Sequence, residues 1–183
     1  MQPTGKLVDL VYKIATGNIK TKVLLTPVVA ILYLALIGIF VFVSFIADKL
    51  FYFPPILSFP WNLLLAIPLF ILGFVLMVLT IIYFIKAKGT PVPLNPPQSL
   101  IKIGPYRYIR NPMLTGIFLQ LFGIGFYYHS LSLIFIFTPL FIALNYWELK
   151  NIEEPELQKR FGQEYKKYKQ QASMFFPKTK IRR

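Results

Sequence analysis

The chain has 183 residues, 56% of them hydrophobic and only 15% charged, with a formal net charge of +13. That apolar content excludes an ordinary soluble domain and points to an integral membrane protein, whose basic excess belongs to loops facing anionic headgroups and not to a nucleic-acid surface. With no cysteine and a single histidine, His129, the chain excludes disulfides, thiolate catalysis and a histidine-built metal site.

Residues 1–22 form a basic head carrying Lys6, Lys13, Lys20 and Lys22. Leu7, Leu10, Val11 and Ile14 recur at helical spacing, so the head reads either as an amphipathic helix on the membrane surface or as a poorly ordered basic tail. No cleavable leader is evident. Residues 23–47 are uncharged for 25 residues. As a helix that is about 37 Å, enough to cross a hydrocarbon core of about 30 Å with tilt. Asp48 and Lys49 end this first span, and a rigid aromatic loop from Phe53-Pro54-Pro55 to Phe59-Pro60 follows. Trp61 to Ile85 is the second span, with Trp61 and Tyr83 suited to the two interfaces and a kink expected at Pro68. Residues 23–85 thus form a two-helix unit ahead of a third region, residues 86–183.

The third region opens with a proline-rich, extended loop over residues 86–103. It leads into Gly104-Pro105-Tyr106-Arg107-Tyr108-Ile109-Arg110-Asn111-Pro112. Gly-Pro forces a turn, Asn111 suits the N-cap of a new helix, and Pro112 suits its first position. A turn, cations and a helix N-terminus make a grip for an anionic group; the same residues also suit a basic membrane flank with aromatic anchors. Asn111 to Trp147 is uncharged for 37 residues, too long for one span. The polar Tyr127-Tyr128-His129-Ser130 divides it into a hairpin of two short helices, residues 112–126 and 131–147. Gly116, Gly123 and Gly125 are expected to let these two backbones approach, and Gln120 and Asn145 to bond between helices or line a cavity. Further on, Leu157, Phe161, Tyr165 and Tyr168 fall at i, i+4, i+8 and i+11, the stripe of a single amphipathic helix.

The expected fold is therefore all-α: a polytopic membrane protein of about four transmembrane helices, with a C-terminal hairpin and a cytoplasmic amphipathic helix. With both termini inside, 19 of the 20 Lys and Arg lie on the cytoplasmic side and only Lys49 lies outside. Anionic lipids are the natural partners of that side.

This topology brings Tyr106, Arg107, Tyr108, Arg110 and Asn111 to the same end of the hairpin as Glu148, Glu153 and Glu154. Arginine suits a carboxylate, glutamate an ammonium or ribose hydroxyls, and tyrosine a sulfonium or a ring. S-adenosylmethionine carries all of these groups. Methyl transfer from it needs alignment and exclusion of water, but neither metal nor thiol. The same charges would equally serve as salt bridges holding helix ends, with no ligand.

Residues 104–113, Gly-Pro-Tyr-Arg-Tyr-Ile-Arg-Asn-Pro-Met, followed by residues 153–168, Glu-Glu-Pro-Glu-Leu-Gln-Lys-Arg-Phe-Gly-Gln-Glu-Tyr-Lys-Lys-Tyr, resemble the isoprenylcysteine carboxyl methyltransferase and phospholipid methyltransferase superfamily of membrane-embedded enzymes. The resemblance covers residues 89–177. It implies S-adenosylmethionine as cofactor and a lipophilic acceptor from the bilayer, isoprenylcysteine carboxylate-like or lipid headgroup-like. By position it implies cofactor contacts at Gln98, Ser99, Leu100 and Ile101 and at the turn tyrosine, Tyr106. The Arg-His-Pro-x-Tyr motif of the family falls on Arg110, Asn111, Pro112, Met113 and Leu114. The glutamate closing the cofactor pocket falls on Glu153, with Glu154 beside it. Arg110, Asn111, Glu153 and Glu154 are thus the candidate catalytic group. Asn111 in place of histidine removes a titrating base, Leu114 in place of tyrosine removes a hydroxyl, and Leu149 stands where the prenylcysteine enzymes place a substrate-binding arginine. Two other readings remain open: an NADPH-dependent reductase akin to membrane sterol reductases, and a non-enzymatic four-helix scaffold.

Overall fold

A computed structural model describes residues 3–90 and 97–177. Its helices are α1 (Pro3–Thr16), α2 (Ile19–Leu50), α3 (Trp61–Lys86), α4 (Pro112–Tyr127), α5 (Leu133–Phe161) and α6 (Gln163–Gln171), with a 3-10 turn at Gly104–Arg107. Among the described residues the only β pairing is an isolated parallel bridge between Ile109 and Ser173. Residues 91–96 of the proline-rich loop and residues 178–183 of the basic tail lie outside the described residues.

The basic head is a helix. The first span runs through Asp48 and Lys49 to Leu50 instead of ending at them. Helices α2, α3 and α5 are long and apolar enough to cross a membrane. Helix α4 has 16 residues, about 24 Å of helix, short of a core of about 30 Å. Where four spans were expected, the structure thus has three candidate spans and a shorter apolar helix.

The larger departure is α5, which does not stop at Trp147 but carries Glu148, Glu153 and Glu154 on one continuous helix. Two π turns make this possible, Leu133–Phe137 and Leu149–Glu153. Each directly precedes a residue followed by proline, Thr138-Pro139 and Glu154-Pro155. The N–H groups of Thr138 and Glu154 reach five residues back, to the carbonyls of Leu133 and Leu149. Proline lacks an N–H and its ring crowds the carbonyl four residues back; one widened turn relieves that clash without breaking the helix. The amphipathic stripe is broken instead at Gly162, whose φ of 56° suits glycine. Its residues still converge: Tyr165, Tyr168 and Ala172 form a small core against which Leu157, Phe161 and Leu100 pack.

Packing fixes the order of the bundle. Gly73 of α3 and Gly116 of α4 meet backbone to backbone: a Cβ on Gly73 would lie 2.7 Å from the Gly116 carbonyl oxygen, and one on Gly116 2.8 Å from that of Gly73. Gly123 faces Phe70 of α3, and only Gly125 faces the hairpin partner, at Ile134. The small residues of α4 therefore seat it mainly on α3 and not, as the sequence implied, on α5. Phe118, Leu121, Leu133, Phe141, Leu149 and Phe175 form the main core, with Tyr33 and Phe40 of α2 packed against it. The two intramembrane amides bond between helices: Gln120 Nε2 donates to the Phe70 carbonyl at 3.0 Å, and Asn145 Oδ1 accepts from the Tyr33 hydroxyl at 2.8 Å.

At one end of the bundle Asp48 ties α2 to the start of α5. It accepts from the Ser132 N–H at 2.9 Å and from the Ser130 hydroxyl, a helix cap supplied from another helix. His129 shares this end, 3.4 Å from Asn62 of α3. The C-terminus of α3, the N-terminus of α4 and the Glu153–Glu154 part of α5 lie at the other.

Candidate functional site

Gly104 opens the site. Its φ is 60°, and a Cβ there would lie 2.3 Å from the Tyr83 ring, so only glycine lets the turn press onto α3. Pro105 continues the turn and drives Tyr106 into the interior, where its ring meets Phe84 edge-on at 5.9 Å. The Tyr106 carbonyl accepts from the Tyr168 hydroxyl at 2.8 Å. Burial pushes the hydroxyls of Tyr106, Tyr165 and Tyr168 above the usual tyrosine range, so all three are neutral near pH 7.

The following residues are zipped to a C-terminal strap. The Arg110 N–H donates to the Ser173 carbonyl at 2.7 Å, the Ser173 N–H to the Tyr108 carbonyl at 3.2 Å, and the Asn111 N–H to the Met174 carbonyl at 3.2 Å. The Thr115 hydroxyl donates to the Phe175 carbonyl at 3.1 Å, and the Phe175 ring stacks edge-on against Phe118 at 5.1 Å. Asn111 does occupy the N-cap position of α4, with Pro112 first in the helix, but its side chain makes no capping bond. Its amide donates to the Met174 carbonyl instead, at 3.4 Å. The strap takes the amide because it runs directly beside residues 108–111.

Arg110 is engaged by the protein itself. Its Nη1 donates to the carbonyls of Ala172 at 2.6 Å and Lys169 at 3.2 Å, at the end of α6. Its Nη2 pairs with Glu154, whose second oxygen is taken by Lys169. The Arg110 and Glu154 side chains are only 9% and 5% exposed. A charge so buried must be paired, and the planar guanidinium is the group that reaches a carboxylate and two carbonyls at once. Arg110 is thus the clasp that joins turn, α5, α6 and strap.

Glu153 differs. Adjacent helix positions point about 100° apart, and Glu153 takes no part in the clasp. It is half-buried, and among the described residues no hydrogen bond or ion pair takes its carboxylate. It lies within electrostatic reach of Glu148, one π turn earlier, and of the Glu156–Arg160 pair, which closes at 3.3 Å. Tyr33 of α2 lies within reach of both Glu148 and Glu153.

The other sequence candidates spread around this centre. Gln98 and Ser99 are exposed, Ile101 is half-buried, and Leu100 packs on the tyrosine cluster. Pro112 is buried, and Met113 and Leu114 pack against the main core. A groove of about 380 Å³ runs beside the clasp, lined by Lys150, Glu154, Pro155, Gln158, Lys159 and Lys169; that volume lies within the range of small-molecule sites. Among the described residues no cluster of histidine and carboxylates is placed to hold a metal.

Sequence reasoning missed two contributors. The strap has no periodicity, and its one signal is the apolar pair Phe175-Phe176 after a strongly polar helix. Docking of α1 on α5 was also missed: Asp9 pairs with Lys159 at 2.8 Å, and Lys159 lies 4.5 Å from the Tyr12 ring centre.

A family model described as phospholipid methyltransferase matches residues 61–164, more than half of the chain, from the first residue of α3 to the start of α6. Neither a curated protein nor a solved structure matches the chain.

Proposed function

We propose that this chain, which belongs to the phospholipid methyltransferase family, transfers a methyl group from S-adenosylmethionine to a lipophilic acceptor drawn from the bilayer. The acceptor class is a lipid headgroup or a prenylated cysteine carboxylate. The observation that carries this reading is the matched stretch, which holds residues 104–113 whole and the second motif segment as far as residue 164. It is supported by a fold that joins those segments at one end of a bundle in which three helices are long and apolar enough to cross a membrane.

The side chains present fit this cofactor. Glu153 offers a carboxylate that no hydrogen bond or ion pair takes among the described residues, suited to an ammonium or to ribose hydroxyls. Lys150 borders the groove beside the clasp and suits a carboxylate. Tyr106 and the segment Gln98–Ile101 border the same end of the bundle. When bound, S-adenosylmethionine supplies a methyl group activated by a cationic sulfur.

Everything else falls to the chain. The clasp of Arg110 and Glu154 fixes α5 and α6 relative to the turn, so that Glu153 is held in one orientation; alignment of this kind is the main lever on a displacement reaction. The apolar walls of α2, α4 and α5 exclude water on the membrane side. Asn111 cannot take up a proton, and Glu154 is occupied by Arg110 and Lys169. An acceptor carboxylate is already ionised near pH 7 and needs no base. An acceptor amine would pass its proton to Glu153, the one carboxylate of the motif that forms no ion pair among the described residues.

By the distribution of Lys and Arg, the site end of the bundle and both termini face the cytoplasm. The experiment is methylation of a total lipid extract by purified protein with isotope-labelled S-adenosylmethionine. Label in one lipid class identifies the acceptor. No label in any class, with intact protein, removes the proposal.

A further inference from the structure

Helix α1 lies before the family match and carries two apolar stripes. Val8, Val11 and Tyr12, half-buried, and Ala15, buried, fall at i, i+3, i+4 and i+7 and form the face docked on the second half of α5. A second stripe, Leu7 and Leu10, is left uncovered, at 44% and 53% exposure. It lies about a third of a turn round the helix from the docked face. Lys6 and Lys13, both exposed, border its far edge. An uncovered leucine pair with lysines alongside is the pattern of a helix lying in the headgroup layer of an anionic bilayer.

The chain places α1 where that layer must be. Only Gly17 and Asn18 separate it from α2, whose stretch long and apolar enough to cross a membrane begins at Lys22. Asn18 fixes the elbow by accepting from the Lys20 N–H at 3.0 Å. On its other side α1 is held by Asp9 and Tyr12, both on Lys159. Lys159 lies one turn and a half beyond Glu153 on α5.

We propose that α1 is a two-faced clamp: Leu7 and Leu10 enter the headgroup layer of an anionic bilayer beside Lys6 and Lys13, while the docked face holds α5 at the turn that carries Glu153. The partner is the lipid surface itself, and the inference does not depend on any reaction at the site.

The chain has no cysteine, so a single Leu7→Cys substitution accepts a spin label without background. The labelled protein is reconstituted in vesicles of phosphatidylcholine alone and of phosphatidylcholine with phosphatidylglycerol. Collision with oxygen, against collision with a water-soluble nickel chelate, reports immersion. The expected result is deeper immersion in the anionic vesicles, reversed by high salt. Each lysine near such a surface contributes about fivefold to partition. Lys6→Gln with Lys13→Gln, both at exposed positions, should therefore lower the immersed fraction relative to the water-exposed one by about 30-fold. A label that reports the same surroundings in both vesicles overturns the proposal, as does an anionic response that survives the double substitution.

Discussion

Arg110 and Glu153 both lie in the stretch that matches the family, yet their surroundings differ, and substitution separates the two roles. Arg110→Met removes the guanidinium from a pair whose side chains are 9% and 5% exposed. Glu154 would be left with Lys169, whose side chain is 45% exposed, and the carbonyls of Lys169 and Ala172 would lose their donor. Breaking a buried ion pair from one side costs roughly 3–5 kcal/mol, because the remaining charge stays buried without its partner. That is a large share of the stability of a small domain. Arg110→Met together with Glu154→Gln should cost less than the sum of the single changes, since both charges vanish together. By contrast Glu153→Gln breaks no bond within the protein and should change stability by less than about 1 kcal/mol. The assay is reversible unfolding in mixed micelles, run beside S-adenosylhomocysteine binding to the folded fraction. The reasoning is refuted if Arg110→Met leaves stability unchanged while abolishing binding, because Arg110 would then be a ligand of the cofactor and not a clasp.

The remaining predictions concern the scaffold and the far end. Gly116→Val puts branched carbon where a Cβ already meets the Gly73 carbonyl at 2.8 Å; it should separate α3 from α4 and cost about 1–3 kcal/mol in the same unfolding assay. Asp48→Ala removes the cap that α2 supplies to α5 and should cost about 0.5–2 kcal/mol. Cofactor affinity should be unchanged, since the cap sits at the opposite end of the bundle. His129→Ala should retain methyl transfer, because His129 packs on Asn62 at that same far end; a steep loss of single-turnover rate with intact affinity would show that the site has been placed at the wrong end.

How much of this was readable in the sequence depended on the range of the forces involved. The spans in α2 and α3 were legible because long uncharged runs have one stable solution in a bilayer. The turn at Gly104-Pro105 and the start of α4 at Pro112 were legible because they are local backbone chemistry. The continuity of α5 was not. The chain turns polar after Trp147 and Pro155 signals interruption, and only the packed neighbours decide that a π turn absorbs it. The division of labour between Glu153 and Glu154 was also hidden. Neighbours in sequence, they are separated by the rotation of one helix position, and the partner that claims Glu154 lies 44 residues earlier in the chain. The strap at Ala172–Phe176 is joined to residues 108–115 mainly through backbone groups, which carry no residue signature, and only Phe175-Phe176 hints at it.

The central claim, that the end of the bundle bearing Glu153 holds S-adenosylmethionine, is met most directly by titrating S-adenosylhomocysteine into the purified protein in detergent. The account predicts saturable binding, weakened about 10- to 100-fold by Glu153→Gln through loss of one charge-assisted hydrogen bond, with no binding of NADPH. Equal affinity in wild type and Glu153→Gln, or saturable binding of NADPH with none of S-adenosylhomocysteine, would contradict it.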